Sequence, residues 1–344
     1  MKRGYSDLVG FVFLVAFVMG ASTAALGEEF YKDKMIKYMV GYSPGGGYDT
    51  YTRAIARHIG KYIPGNPTSI VQNKPGGGSL VVANYLYNRA RADGLTVGVF
   101  DSGKVLLEAL GSKHVMFKAR KFGWIGAPVA GISVCSIMGF TGLKTLEDIM
   151  RSKKVLKFGG TRPGSGSVDR PKIMNKLMGT NFNVITGYGG GARIRIAMQR
   201  REVDGFCLSW ESLRVTARAM LDAEGDDKLI PFIISGKFED PEVKDLPRYT
   251  DVIKGEENLK LWNIYHAQYD FQRPLVFPPN TPKERLNIFR KALKETLRDP
   301  EFLAETKKSK LLIKHIAGKE IEKIVNSILA IPPAAKKRLQ FLLK

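Results

Sequence analysis

The sequence predicts an α/β protein built from two similarly wound units, each a mainly parallel sheet flanked by helices. Three observations carry this. Strands, glycine loops and helices alternate from residue 35 to about 100, and again from about 131 to 210. Such alternation is the signature of βαβ units. The 344 residues are enough for two domains of ordinary size. The composition is that of a globular chain, with 44% hydrophobic and 25% charged residues.

Before the first strand, Lys2 and Arg3 precede an apolar run from Leu8 to Met19 and the small residues Gly20 to Ala25. This is the layout of a secretory signal peptide, with Ala25-Leu26-Gly27 as the cleavage site, residues 1–27 removed and Glu28 as the new N-terminus. The apolar run is short for a membrane span, which needs about 20 residues. An uncleaved N-terminal anchor is the other reading. The mature product is expected to be exported and soluble.

Met35 to Tyr42 reads as a strand that ends in Ser43-Pro44-Gly45-Gly46-Gly47. A helix follows, with Asp49 as its N-cap and Ile55, Ile59 and Tyr62 forming an apolar stripe of helical period. Strand 69–72, the Lys74-Pro75-Gly76-Gly77-Gly78 segment, helix 80–86, the Asp93-Gly94 turn and strand 95–100 complete the first unit. The second runs through strand 132–137, a short helix at 143–148, strand 155–159, the loop 160–169, a helix through Leu177, strand 182–186, the loop 187–192, a helix to Arg200, strand 203–208 and a helix from Ser209. The tail has a short strand at 275–277. Its helices are expected over 283–297, 300–308, 318–329 and 333–343, the first opened by Thr281 as N-cap with Pro282 and Glu284 behind it. This tail is expected to pack back on the first unit, so the domains are 28–130 plus 263–344, and 131–262.

Three glycine loops, 43–49, 160–169 and 187–192, each join a strand end to a helix start. Helix starts carry unpaired N–H groups and partial positive charge, and glycine lets a ligand approach that backbone. Loops from both units therefore point to an anion held between them. As strand–helix turns, the same glycines need no ligand. Tyr42, Tyr188 and Trp210 stand at loop edges, where rings either wall a pocket or simply pack. Arg162, Arg170 and Arg193 lie near the second-unit loops, where an arginine could meet a carboxylate bidentately or stay solvated. Ser102, just beyond strand 95–100, joins the candidate ligand-binding set.

Other chemistries lack support. Cys135 and Cys207 cannot form a zinc site alone, and a single disulfide and two buried thiols both fit their spacing. The four histidines show no H-E-x-x-H pattern. No loop is a Walker A motif, and none is a G-x-S-x-G elbow. Gly164-x-Gly166 begins like a dinucleotide fingerprint but has Asp169 where a third glycine belongs. No metal, cofactor or catalytic residue is predicted. The net charge of +21 lies almost wholly outside the leader, and its field would draw anions toward a cleft. Export and the dispersal of the lysines argue against nucleic acid.

An ordered set of motifs resembles the solute receptors of tripartite tricarboxylate transporters, the Bug-type periplasmic binding proteins. Gly41-Tyr42-Ser43-Pro44-Gly45-Gly46-Gly47-Tyr48-Asp49 with Arg53 resembles the family's first-loop signature. Gln72 to Gly78, Asp93-Gly94-Leu95-Thr96, Gly164 to Ser167, Gly187 to Gly190, Phe277 to Pro282 and Asp299-Pro300-Glu301 resemble later segments in the right order. The resemblance covers nearly the whole mature chain. It implies a two-lobed type II binding protein, a Venus flytrap, that closes on a small carboxylate and delivers it to membrane transporter subunits. It also implies a periplasmic location, a monomer and no enzymatic activity. Carried over by position, the ligand residues are Ser43, Gly45, Gly46, Gly47, Asp49, Thr161, Gly164, Ser165, Gly166, Ser167, Tyr188 and Gly189. Arg170 stands where the family usually has His, and suits a di- or tricarboxylate; an aromatic acid is the other ligand class. Ser43 replaces a frequent proline, and residues 243–249 keep little of the family pattern. The alternative function is an exported enzyme acting on an anionic small molecule.

Overall fold

The computed structural model describes residues 30–236 and 240–344. The expected leader, residues 1–27, lies outside the described residues. Strands are numbered in chain order: β1 Met35–Val40, β2 Thr68–Asn73, β3 Thr96–Val99, β4 Gly123–Ala127, β5 Ser133–Met138, β6 Leu156–Gly159, β7 Phe182–Ile185, β8 Gly205–Ser209, β9 Leu229–Ser235, β10 Leu275–Phe277 and β11 Ile316–Ala317. They form two sheets, ordered β11-β4-β10-β3-β1-β2 and β7-β6-β8-β5-β9. The first sheet thus takes strands from both ends of the described chain and the second takes its strands from the middle.

Both sheets are mixed. The parallel pairs, β1 with β2 and β3, and β6 with β7 and β8, are those linked through glycine loops and helices. The antiparallel pairs come from strands next to the places where the chain changes sheets. β10 returns from the second lobe and runs antiparallel between β3 and β4, while β5 runs antiparallel between β8 and β9. The two crossings lie side by side. Gln272 N–H donates to Val129 O at 2.8 Å, and Gly131 N–H donates to Tyr269 O at 2.8 Å. A disulfide joins Cys135 and Cys207, which face each other across β5 and β8.

The helix Gly47–His58 buries Tyr51, Ala54 and Ile55 against one face of the first sheet, where Val97, Phe289 and Leu293 continue the cluster. A second apolar cluster runs from Leu86, Phe100 and Trp124 through Trp262 and Tyr265 to Ile173 and Phe158, so the core is continuous from one lobe to the other. At roughly 25 cal/mol per Å2, burial on this scale is the main term favouring the fold.

The tail departs from expectation twice. Its helix Lys283–Thr296 starts after Pro282 without a side-chain cap, because the Thr281 hydroxyl donates back to Pro278 O at 2.9 Å. Helices 283–296, 300–308 and 318–329 pack on the first lobe. The last one, Pro333–Leu343, instead meets helix Gly166–Met178, and Lys172 Nζ donates to Leu343 O at 3.0 Å. Among the described residues no helix is long and apolar enough to cross a membrane.

Candidate functional site

The loop after β1 is held from beneath by one carboxylate. The helix begins at Gly47, with Gly46 before it and no side-chain cap. Asp49 is therefore the third residue of the helix and not its N-cap. Its Oδ2 accepts from Gly45 N–H at 3.0 Å, while Oδ1 accepts from Arg53 Nε and Asn73 Nδ2, both at 2.9 Å. These bonds hold its carboxyl below the ordinary value against the opposing effect of burial. Asn73 also donates to Tyr42 O at 2.9 Å. Gly45 has φ +76°, a conformation that glycine adopts without a Cβ penalty. With Asp49 engaged at Gly45, the first N–H groups of the helix are left open.

The loop after β6 repeats this design in the second lobe. Asp169, four residues into a helix of 13, accepts from Gly164 N–H at 3.0 Å. This contact explains why the glycine-rich loop carries an acid where a dinucleotide motif has glycine. Burial pushes the Asp169 carboxyl up to about 7, and its Oδ2 has no partner. The Thr161 hydroxyl donates to Ser165 Oγ at 2.7 Å, and Thr161 N–H donates to Ser167 Oγ at 3.1 Å. The third loop ends at Gly190, and Gly191 opens a nine-residue helix.

These loops converge on one cavity between the lobes. Tyr42, Ser43, Gly46, Gly47, Thr161, Ser165, Gly166, Ser167 and Arg170 line it. Its volume is about 110 Å3, measured as room for the centres of water molecules. One water needs roughly 10–15 Å3 on that measure, so the space suits a small organic molecule. The lobes touch across it. A Cβ on Gly47 would lie 1.9 Å from Ser212 Oγ, and Lys104 Nζ donates to Gly164 O at 3.1 Å.

Six expected site residues do not line the cavity. Gly45 and Asp49 sit behind the first loop, joined to each other. Gly164 is turned toward Leu107 and the Lys104 ammonium. Ser102 is fully buried and accepts from Gln272 Nε2 at 3.0 Å, so it steadies a residue that does line the cavity. The Tyr188 ring packs beside the apolar cluster of the second lobe, and Gly189 is exposed on the loop.

The cavity also has walls that were not expected. Asp101, Tyr48, Arg195, Tyr269 and Gln272 line it. Asp101 lies just past β3, at a carboxyl strand end, where the rule applied to the glycine loops would also have found it. Arg195 sits one turn into the helix after the third loop. Tyr269 and Gln272 come from the second crossing, which the sequence places near residue 262, and neither stands in a motif.

Arg170 dominates the electrostatics. It is 2% exposed, its Nε and Nη2 have no hydrogen-bond partner, and its guanidinium lies 3.9 Å from the Tyr269 ring centre. Burial works against its charge, but Tyr269, Tyr265, Tyr249 and Asp101 outweigh that and raise its pKa. Among the described residues no carboxylate lies within 4.0 Å of it. Burial lowers the pKa of Arg195, and among the described residues no carboxylate lies within 4.0 Å of it either. Burial, followed by the Asp101 charge, pushes the Tyr42 and Tyr48 hydroxyls up, so both remain protonated donors. Behind the wall, Arg273 reaches Ser209 Oγ at 2.9 Å and Ser212 Oγ at 3.1 Å, and faces the fully buried Glu211 at 3.9 Å.

No family model matches the chain, and no curated protein matches it in sequence. Solved structures do match. The periplasmic binding protein BugD superposes with a TM-score of 0.69 at 18% identity, over 91% of this chain and 98% of that one. The chain has the Bug-type periplasmic binding protein fold. MatC from Rhodopseudomonas palustris, solved with malate, gives 0.70 at 18% identity over 90% and 99% of the two chains. A further R. palustris protein, solved with adipate, gives 0.71 at 14% identity over 90% and 97%. The likeness therefore spans both lobes, the crossings and the tail. At these identities it reaches the fold and leaves the cavity chemistry to this chain's own residues.

Proposed function

We propose that this protein is an extracytoplasmic solute receptor. It captures a small organic carboxylate between its lobes, delivers it to membrane transporter subunits and catalyses no reaction on it. The observation that carries the reading is Arg170, a buried guanidinium on the cavity wall with two unpartnered nitrogens. A buried charge with no ion-pair partner is costly, and a carboxylate in the cavity relieves that cost. Three uncapped helix starts at Gly47, Gly166 and Gly191 line the same cavity and favour an anion there. The malate and adipate in proteins of this fold support the same ligand class. Export to the periplasm with loss of residues 1–27, a monomeric state, and moving units of 28–130 plus 263–344 against 131–262 belong to the same proposal.

The ligand-binding set on this reading is Tyr42, Ser43, Gly46, Gly47, Thr161, Ser165, Gly166, Ser167, Arg170 and Arg195. Gly45, Asp49, Gly164 and Ser102 hold that set in place, and Tyr188 and Gly189 shape the third loop. A thermal-shift panel of mono-, di- and tricarboxylates and aromatic acids tests it. A true ligand at about 100 times its Kd adds roughly 2.7 kcal/mol of stability. A panel in which no carboxylate moves the melting temperature sinks the proposal.

A further inference from the structure

The positive charge of the surface is not evenly compensated. The exposed cations Arg57, Lys61 and Arg201 each have a carboxylate partner. By contrast, the segment 111–121 carries Lys113, Lys118, Arg120 and Lys121 and no Asp or Glu. The last helix, Pro333–Leu343, carries Lys336, Lys337 and Arg338, again without an acid. Lys172 and Lys176 lie on the helix it packs against. Among the described residues no carboxylate lies within 4.0 Å of any of these nine side chains. The segments adjoin: Gln340 Nε2 donates to Leu110 O at 2.7 Å, and Lys172 Nζ to Leu343 O at 3.0 Å. Two large apolar side chains stand out from this basic face, Met116 at 62% exposure and Phe341 at 53%. Met116 is held there by its backbone, whose N–H donates to Asn84 Oδ1 at 2.9 Å and whose carbonyl accepts from Asn88 Nδ2 at 2.7 Å. Leu339 and Leu342 bury the other side of the last helix and leave Phe341 outward, with Lys176 Nζ 4.7 Å from its ring centre.

We propose that this face docks on an anionic membrane surface, its cations against lipid phosphates and Met116 and Phe341 in the headgroup boundary. The choice of a bilayer over an acidic protein rests on chemistry. Protein interfaces are depleted in lysine and built around a contiguous apolar centre. Here seven of the nine cations are lysines, and the two apolar tips stand on separate elements. Ammonium groups on long stems suit a fluid layer of phosphates, and single apolar side chains can enter it wherever they meet it. Each Lys or Arg near an anionic membrane strengthens binding about 5-fold, so several acting together hold a protein peripherally and reversibly. The inference is independent of what fills the cavity between the lobes.

Co-sedimentation with vesicles tests this, using residues 28–344 so that the apolar run Leu8 to Met19 cannot itself insert; all the described structure lies within that span. Vesicles of phosphatidylcholine alone are compared with vesicles holding about 30% phosphatidylglycerol. The expected result is at least 10-fold stronger partition onto the anionic vesicles. It should fall at least 10-fold between about 0.1 and 1 M salt, as the screening length drops from about 10 to about 3 Å. Lys337→Gln with Arg338→Gln should weaken it about 25-fold, two contributions of about 5-fold each. Phe341→Ser should weaken it about 5-fold at either salt concentration. Lys307→Gln with Lys308→Gln, an equal loss of charge on the exposed side of helix 300–308, should change it less than 3-fold. Equal partition onto the two vesicle types overturns the inference without need of any variant, and favours an acidic protein as the partner. Equal loss in the two double variants overturns it as well, since net charge alone would then account for the binding.

Discussion

Replacing Arg273 by methionine removes the counter-charge of a carboxylate that has no route to solvent. Glu211 is fully buried, and its Oε1 accepts from Ile132 N–H at 2.5 Å. Its Oε2 has no hydrogen bond and faces Arg273 Nη1 at 3.9 Å. Burial raises the Glu211 pKa, and Arg273 is the strongest influence lowering it. At an effective dielectric constant of about 20, charges at that distance attract by roughly 4 kcal/mol. Arg273 also lies 4.4 Å from the Tyr51 ring centre, and such contacts contribute about 0.5–2 kcal/mol. Methionine recovers part of this through apolar packing, so a net loss of about 3–5 kcal/mol is expected. Urea unfolding read by fluorescence would show it as a lowered midpoint. The pH dependence has a fixed sign. Without Arg273 the folded Glu211 pKa rises further above its unfolded value, so between the two the folded state binds more protons. The variant then loses stability as pH rises through that window. The deficit should be larger at pH 8 than at pH 5. A deficit below about 1 kcal/mol, or one equal at both pH values, would refute a buried ion pair here.

Gly47→Ala should weaken ligand binding at least 10-fold, measured by calorimetry, because a methyl there meets Ser212 across the cleft; unchanged affinity would mean that the lobes need not approach so closely. Asp169→Asn should stabilise the protein increasingly as pH rises from about 4 to about 7 and by a constant amount above that, since burial pushes the wild-type carboxyl up to about 7 and makes its ionisation costly to the folded state. Melting curves at pH 5 and pH 8 would check this, and a gain larger at pH 5 contradicts it. Replacing both Cys135 and Cys207 by alanine opens a covalent loop spanning 72 positions and should cost about 2–4 kcal/mol in urea unfolding, whereas no change in midpoint would mean that the strands hold that geometry unaided.

The parts of this molecule that were legible in the sequence are those governed by local rules. Each glycine loop lies between a strand and a helix because βα junctions need turns, and their arrival at one cavity follows from carboxyl strand ends sharing an edge. Local pattern could not show that β10 would enter its sheet antiparallel, since three residues, Leu275 to Phe277, carry no direction. Nor could it place Pro333–Leu343 against the second lobe, because Leu339 and Leu342 would bury equally well on either side. Asp49 reads as a cap by composition, yet its carboxylate is engaged by Gly45, Arg53 and Asn73, all three outside the first helical turn. Asp101 differs, because its place just past β3 follows from the strand-end rule and only its neighbours across the cavity lay beyond local pattern.

The paired crossings set how the molecule can move. Two chain segments tied to each other at Val129–Gln272 and Gly131–Tyr269 act like the knuckles of one pin, so twisting about their common line is cheap while sliding would tear backbone bonds. On the proposed receptor reading, opening is thereby reduced to a single swing. Gln272, which sits on that pin and also faces the cavity, gives any occupant direct purchase on the axis itself.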